Sequence, residues 1–168
     1  MEEKCIKEWM KEIKHLDSYK ERILNDESRM HSVTYQETEA QLAVEYDFAA
    51  TRKNVETTDS AIRDIKQAIA EANCRHRLEG FDMSLGQGLT YLAQLRKEID
   101  RLERMSNKEP ITRRSLPSGD VEYTKLLYNT SSCKDLLDQK QKTLSALQVA
   151  KDRANLICVV RVHSHTVA

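Results

Sequence analysis

Glycine and proline are nearly absent from this 168-residue chain, which holds four of the first and two of the second. Both residues interrupt helices, so few positions here stop one. The scarcity favours long solvated helices over a compact α/β enzyme. A surplus of either charge is missing too: 27 Lys and Arg balance 27 Asp and Glu. Nucleic-acid binders normally carry a basic excess, because backbone phosphates supply most of their affinity, and the balance argues against such a partner. No apolar run approaches the roughly 20 residues of a membrane-spanning helix, so no membrane association is expected. Nor is there a C-x-x-C pair, since Cys5, Cys74, Cys133 and Cys158 lie far apart. The opening MEEKCIKEWMKEIK reads as an amphipathic helix and not a signal peptide. The expected compartment is therefore the cytoplasm, with all four thiols reduced. In that compartment the glycosylation-like Asn129-Thr130-Ser131 is a coincidence of sequence.

What is present is charge, at 32% of residues, and an apolar set of 39%. That composition and length fit a single domain over residues 1–168, large enough to bury a core. Ile6, Trp9, Met10, Ile13, Leu16, Ile23 and Leu24 fall on one helical stripe, with Lys20 interrupting it and an end near Asn25. Asp47 is a suitable N-cap for a second helix, whose stripe is Val55, Ile62, Ile65, Ile69 and Ala72 and whose end is Asn73. Ser84 with Gln87 forms a capping box. Leu85, Leu89, Leu92, Leu95, Ile99 and Leu102 then line a third helix. Asn129 or Thr130 caps a fourth, with Leu137, Leu144, Leu147, Ala150 and Ala154 inward and Asn155 at its end.

Between these helices the pattern changes. Ser32-Val33-Thr34-Tyr35 is β-prone and Leu42, Val44 and Tyr46 alternate, which predicts a first hairpin with its turn near residues 38–40; a helical extension is the competing reading. Ile111–Leu116 and Val121–Leu127 flank Pro117-Ser118-Gly119 and predict a second hairpin. Ile157–Val162 is β-branched enough for a short strand, and residues 163–168 are expected to fray.

The two halves, 1–79 and 80–162, repeat one plan of helix, hairpin, helix. Advancing by 79 lays Ile6, Met10, Ile13, Leu16 and Ile23 on Leu85, Leu89, Leu92, Leu95 and Leu102. Advancing by 82 lays Tyr46, Asp47, Val55, Ile62, Ile65, Ala68, Ala72 and Asn73 on Tyr128, Asn129, Leu137, Leu144, Leu147, Ala150, Ala154 and Asn155. Sliding amphipathic helices imitate the apolar matches; the tyrosine, the cap and the terminal Ala-x-x-x-Ala-Asn are harder to imitate. The predicted fold is mainly α: four long antiparallel helices with two β-hairpins and an internal duplication.

Tyr46-Asp47-Phe48, Gly80-Phe81-Asp82-Met83-Ser84-Leu85 and Tyr91-Leu92-x-x-Leu95 closing at Met105 carry a resemblance over residues 44–105. The segment is similar to a small family of uncharacterised bacterial helical proteins, some labelled septicolysin-like. That label implies a pore-forming toxin, yet the sequence shows neither an export signal nor a membrane-active segment. The resemblance implies no established activity, cofactor or site residue.

Chemistry-bearing residues are few. Cys74-x-His76 and Cys158 with His163-x-His165 are the residue types zinc prefers, but structural sites show tighter paired spacing, so no metal ligand is assigned. Cys5 and Cys133 sit beside helical apolar positions and read as small core residues. Gly86-x-Gly88 is no dinucleotide fingerprint, because Tyr91 occupies the third glycine's place; close helix packing is the better use. Catalytic residues and cofactors are therefore assigned as none. Arg113-Arg114, Arg75-His76-Arg77 and Arg161 are basic clusters that could converge on an anion. The expected function is a non-enzymatic scaffold or adaptor that self-associates, a dimer being favoured, and binds a protein partner through Arg113, Arg114, Ser118 and Asp120. The alternative is a nucleic-acid-binding accessory protein using a local basic patch.

Overall fold

The computed structural model describes residues 1–36 and 46–163. In chain order the elements are β1 (Glu2–Cys5), α1 (Ile6–Met30), α2 (Phe48–Arg75), α3 (Leu85–Ser106), β2 (Ile111–Ser115), β3 (Val121–Lys125), α4 (Thr130–Ile157) and β4 (Val159–Val162). The described residues are thus mainly helical with two small antiparallel two-stranded sheets, β1–β4 and β2–β3. It divides into two compact units, Met1–His76 with Asn155–Ala168, and Arg77–Ala154. No helix among the described residues is long and apolar enough to cross a membrane.

In the first unit the helical stripe of α1 buries Ile6, Trp9 and Leu16, and α2 contributes Thr58, Ala61, Ile62 and Ile65. The Lys20 that interrupts the stripe is held by both carboxylate oxygens of Asp59 on α2, at 2.7 and 2.9 Å. Further along α1, Glu27 accepts from Tyr46 Oη at 2.6 Å and pairs with Arg52 at the start of α2. These contacts run in opposite order along α1 and α2. The strand β4 closes the unit: its burial alternates, with Val160 and Val162 inside, as a half-buried strand requires. Trp9 Nε1 donates to the Val160 carbonyl at 2.9 Å, satisfying the one polar atom of a side chain only 3% exposed.

In the second unit Leu85, Leu92, Leu95, Ile99 and Leu102 of α3 are buried, as are Leu78, Cys133 and Leu147. Lys140 on α4 pairs with Glu98 on α3 at 3.1 Å, and Tyr128 Oη donates to the Met105 carbonyl at 3.0 Å. Gly88 packs under Leu78 and Leu147 so closely that a Cβ there would overlap the tip of Leu78. That accounts for a glycine inside a helix, where it otherwise costs about 1 kcal/mol relative to Ala.

The caps at Asp47 and Ser84 form as expected. Asp47 accepts from Ala50 N at 3.0 Å, and Ser84 and Gln87 cap one another reciprocally. Elsewhere the boundaries differ. Residues 2–5 form a strand and not the first turn of a helix, because Val159–Val162 supplies an antiparallel ladder that local propensity cannot foresee. The first helix continues past Asn25 to Met30, with no Gly or Pro to stop it. Asn73 and Asn155 lie inside α2 and α4, and no non-glycine residue among those described takes the left-handed conformation that would have ended a helix there. Of the first predicted hairpin, Ser32–Gln36 carries no strand, and residues 37–45 lie outside the described residues, as do 164–168 of the predicted frayed tail. Met10 and Leu89, placed on apolar stripes, are 49% and 42% exposed.

Candidate functional site

The turn chemistry of the second hairpin is legible atom by atom. Pro117 presets φ for the first turn position, and Gly119, at φ +90°, takes the left-handed conformation that closes a three-residue loop. Gly119 N donates to the Leu116 carbonyl at 3.0 Å, and Leu116 N to the Asp120 carbonyl at 2.9 Å, the pattern of a type I turn followed by a glycine bulge. Ser118 Oγ donates to Asp120 Oδ2 at 2.8 Å. Two of the four predicted site residues are thus occupied with shaping the turn.

The other two are separated by the pleat. The register pairs Arg113 with Tyr123 and Arg114 with Glu122, so the arginines project from opposite faces. Arg113 shares its face with Ile111, Ser115, Val121, Tyr123 and Lys125. Arg114 shares the other with Thr112, Glu122 and Thr124, where its cross-strand neighbour is of opposite charge. Every residue of both strands is exposed. Ile111, Val121 and Tyr123 are 56%, 39% and 67% exposed, and Leu127 just beyond is 98% exposed. The apolar members of this face were not singled out from the sequence; the alternation of Val121 and Tyr123 opposite Ile111 is the signal that identifies them.

The other basic residues do not join the hairpin. Arg75, His76 and Arg161 line an open groove of about 550 Å³ in the first unit, with Glu71 and Cys158. There Arg75 pairs with Glu71 at 3.0 Å and Arg161 with Glu3 at 2.5 Å. Arg77 belongs to the second unit and pairs with Asp82. The groove's cations are thus matched by carboxylates, and it sits at the C-terminal end of α2, where the helix dipole disfavours an anion. Burial pushes the Cys158 thiol up from its ordinary value, leaving it protonated at neutral pH and a poor nucleophile. His76 and Cys158 both line this groove, whereas Cys74 is exposed and does not. No group of three or more His, Cys, Asp or Glu among the described residues is arranged to hold a metal ion. His165 lies outside them. Cys133 is buried as expected, while Cys5 caps α1 and is half-buried. No protein-family model, curated protein or solved structure matches the chain.

Proposed function

We propose that the protein is a non-enzymatic helical scaffold or adaptor that self-associates and captures a protein partner through the β2–β3 hairpin. The observation that carries this reading is the hairpin's exposure. A two-stranded ribbon is marginal on its own, yet this one holds Ile111, Val121 and Tyr123 in water beside Arg113 and Lys125. Aromatic and arginine side chains grouped on one exposed face are the composition of interface hot spots. A protein partner is favoured over nucleic acid because the two arginines point to opposite faces and Arg75, Arg77 and Arg161 are paired with carboxylates. The compartment in this reading is the cytoplasm.

The scaffold behind the hairpin, in the same proposal, is a duplicated pair of antiparallel helices, four in all. Several polar and backbone details agree at the offsets of 79 and 82. Glu8 accepts from Cys5 N at 2.9 Å, and Gln87 accepts from Ser84 N at 2.8 Å. Thr51 N bonds the Asp47 carbonyl as Cys133 N bonds that of Asn129. Tyr46 reaches back to Glu27 near the end of one helix, and Tyr128 to Met105 near the end of another. The pair Cys5–Val159 corresponds to the bridge Ser84–Arg77, and the contact of Trp9 with Val160 to that of Gly88 with Leu78. Heptad periodicity reproduces apolar spacing but not backbone pairing.

The test is affinity capture from native cells with wild-type protein, the double variant Arg113→Ala/Arg114→Ala, the variant Tyr123→Ser, and a shaft variant, Lys97→Glu/Arg101→Glu. Proteins retained by the wild type and shaft variant should be lost from both hairpin variants at unchanged helicity. Capture that survives in the hairpin variants and disappears in the shaft variant would place the surface on α3 and end this reading.

A further inference from the structure

Among the described residues no strand pairs with either outer edge of the hairpin, and the two edges are chemically unlike. Leu126 N donates to the Pro110 carbonyl and Leu116 N to the Asp120 carbonyl, which sets the phase of the ladder. Residues 112 and 114 of β2 and 122 and 124 of β3 turn their N–H and C=O groups inward. Ile111, Arg113 and Ser115 therefore present theirs along the β2 edge, and Val121, Tyr123 and Lys125 along the β3 edge. Antiparallel pairing with a second copy joins outward-facing residues to outward-facing residues. On β2 the full-length register sets Arg113 against the other copy's Arg113, and prolines flank the strand at positions 110 and 117. Charge and proline are the usual guards of an edge. On β3 the full-length register sets Tyr123 against Tyr123, Val121 against Lys125, and Glu122 against Thr124. No like charges meet. Slipping toward the turn brings Glu122 against itself, and slipping the other way shortens the ladder.

We propose that the β3 edge is the self-association surface: two copies pair β3 with β3 about a two-fold axis through Tyr123, forming a four-stranded antiparallel sheet. The occupant is a second copy of this chain, selected because the full-length register sets no like charges opposite one another, as the guarded β2 edge would. Two-fold closure satisfies the edge in both copies, whereas β2-to-β3 addition leaves free edges and grows without limit. The guarded β2 edge, carrying Arg113 and Arg114, stays open for a different partner. The aromatic pair at the centre adds side-chain contact to the ladder. A ladder this short gives a small interface, so the dimer is of the weak, reversible kind.

This inference rests on the proposed self-association and is tested on the full chain by sedimentation equilibrium across a micromolar range. Thr124→Glu places a new carboxylate opposite Glu122 of the other copy twice over, while within the hairpin it faces only Thr112. It should raise the dimer dissociation constant about tenfold, and the exchange Glu122→Thr/Thr124→Glu should restore it by recreating a charged–neutral pair. Amide exchange at Val121, Tyr123 and Lys125 should slow with rising concentration, and that at Arg113 should not. A wild-type chain that stays monomeric at the highest concentration refutes self-association itself. A dimer indifferent to Thr124→Glu, or a mass that climbs past two, leaves self-association standing and overturns the β3 pairing.

Discussion

Replacing Trp9 by Phe tests whether β4 is an integral part of the first unit. The indole is 3% exposed and its N–H is bonded to the Val160 carbonyl at 2.9 Å. Phe keeps one aromatic ring and loses that bond, worth about 1 kcal/mol net. It also leaves a void where the pyrrole ring packed, adding roughly 1–2 kcal/mol. The Lys4 ammonium, 4.7 Å from the ring centroid, keeps a ring face in the variant, so little further loss comes from it. The expected destabilisation is therefore about 2–3 kcal/mol for Trp9→Phe and about 3–5 kcal/mol for Trp9→Ala. Urea unfolding followed by circular dichroism reads the difference, with the slope checked for constancy. Since the chain holds two compact units, two transitions can appear; the loss should fall on the one that also reports Trp9 fluorescence in the wild type. A shift below about 0.5 kcal/mol for Trp9→Phe is the size of a change at an ordinary surface site. That result would mean β4 is not docked on α1 as described.

Two contrasts follow from burial and charge. Leu95 is fully buried and Leu127 98% exposed, so Leu95→Ala should cost about 2–5 kcal/mol and Leu127→Ala about 0.5 kcal/mol or less, both read by thermal unfolding. The Cys5 backbone N–H, donating to Glu8, holds that carboxyl below its ordinary value of 4.5. A carboxylate depressed in the folded state stabilises fully above its unfolded value and loses that contribution as pH falls through the folded one. Wild type and Glu8→Gln should therefore differ at pH 6 and converge as acid is added; a difference independent of pH would show that the charge on Glu8 is not what matters.

Local rules explain what was readable from residues alone. Asp47 and Ser84 each satisfy a first-turn N–H group of their helices, three positions along the chain, through their own side chains, so their role needs no tertiary information. The same holds for Pro117-Ser118-Gly119, where ring-fixed φ and a glycine at positive φ specify the loop. The four hairpin residues expected to act together show the limit of that reading. Adjacent in sequence, Arg113 and Arg114 are parted by a period of two, and Ser118 and Asp120 bond each other. The missed residues, Ile111, Val121 and Tyr123, come from two strands, and only cross-strand register puts them on one face.

The helical class, the N-caps at Asp47 and Ser84, the tight turn and the inward side of each helix were legible from residues alone, because each follows from chemistry within about one helical turn. Tertiary structure alone decided that Glu2–Cys5 is a strand, since its ladder is made with residues more than 150 positions away. It alone decided which apolar positions are buried: Leu85 and Leu89 satisfy the same helical stripe, yet one is 1% and the other 42% exposed. Periodicity names the side of a helix that faces a neighbour, but how far that neighbour extends is set by elements distant in the chain. Gly88 shows the two kinds of information meeting, a helix-weakening residue locally and one that leaves room for the tip of Leu78 once that side chain lies against it.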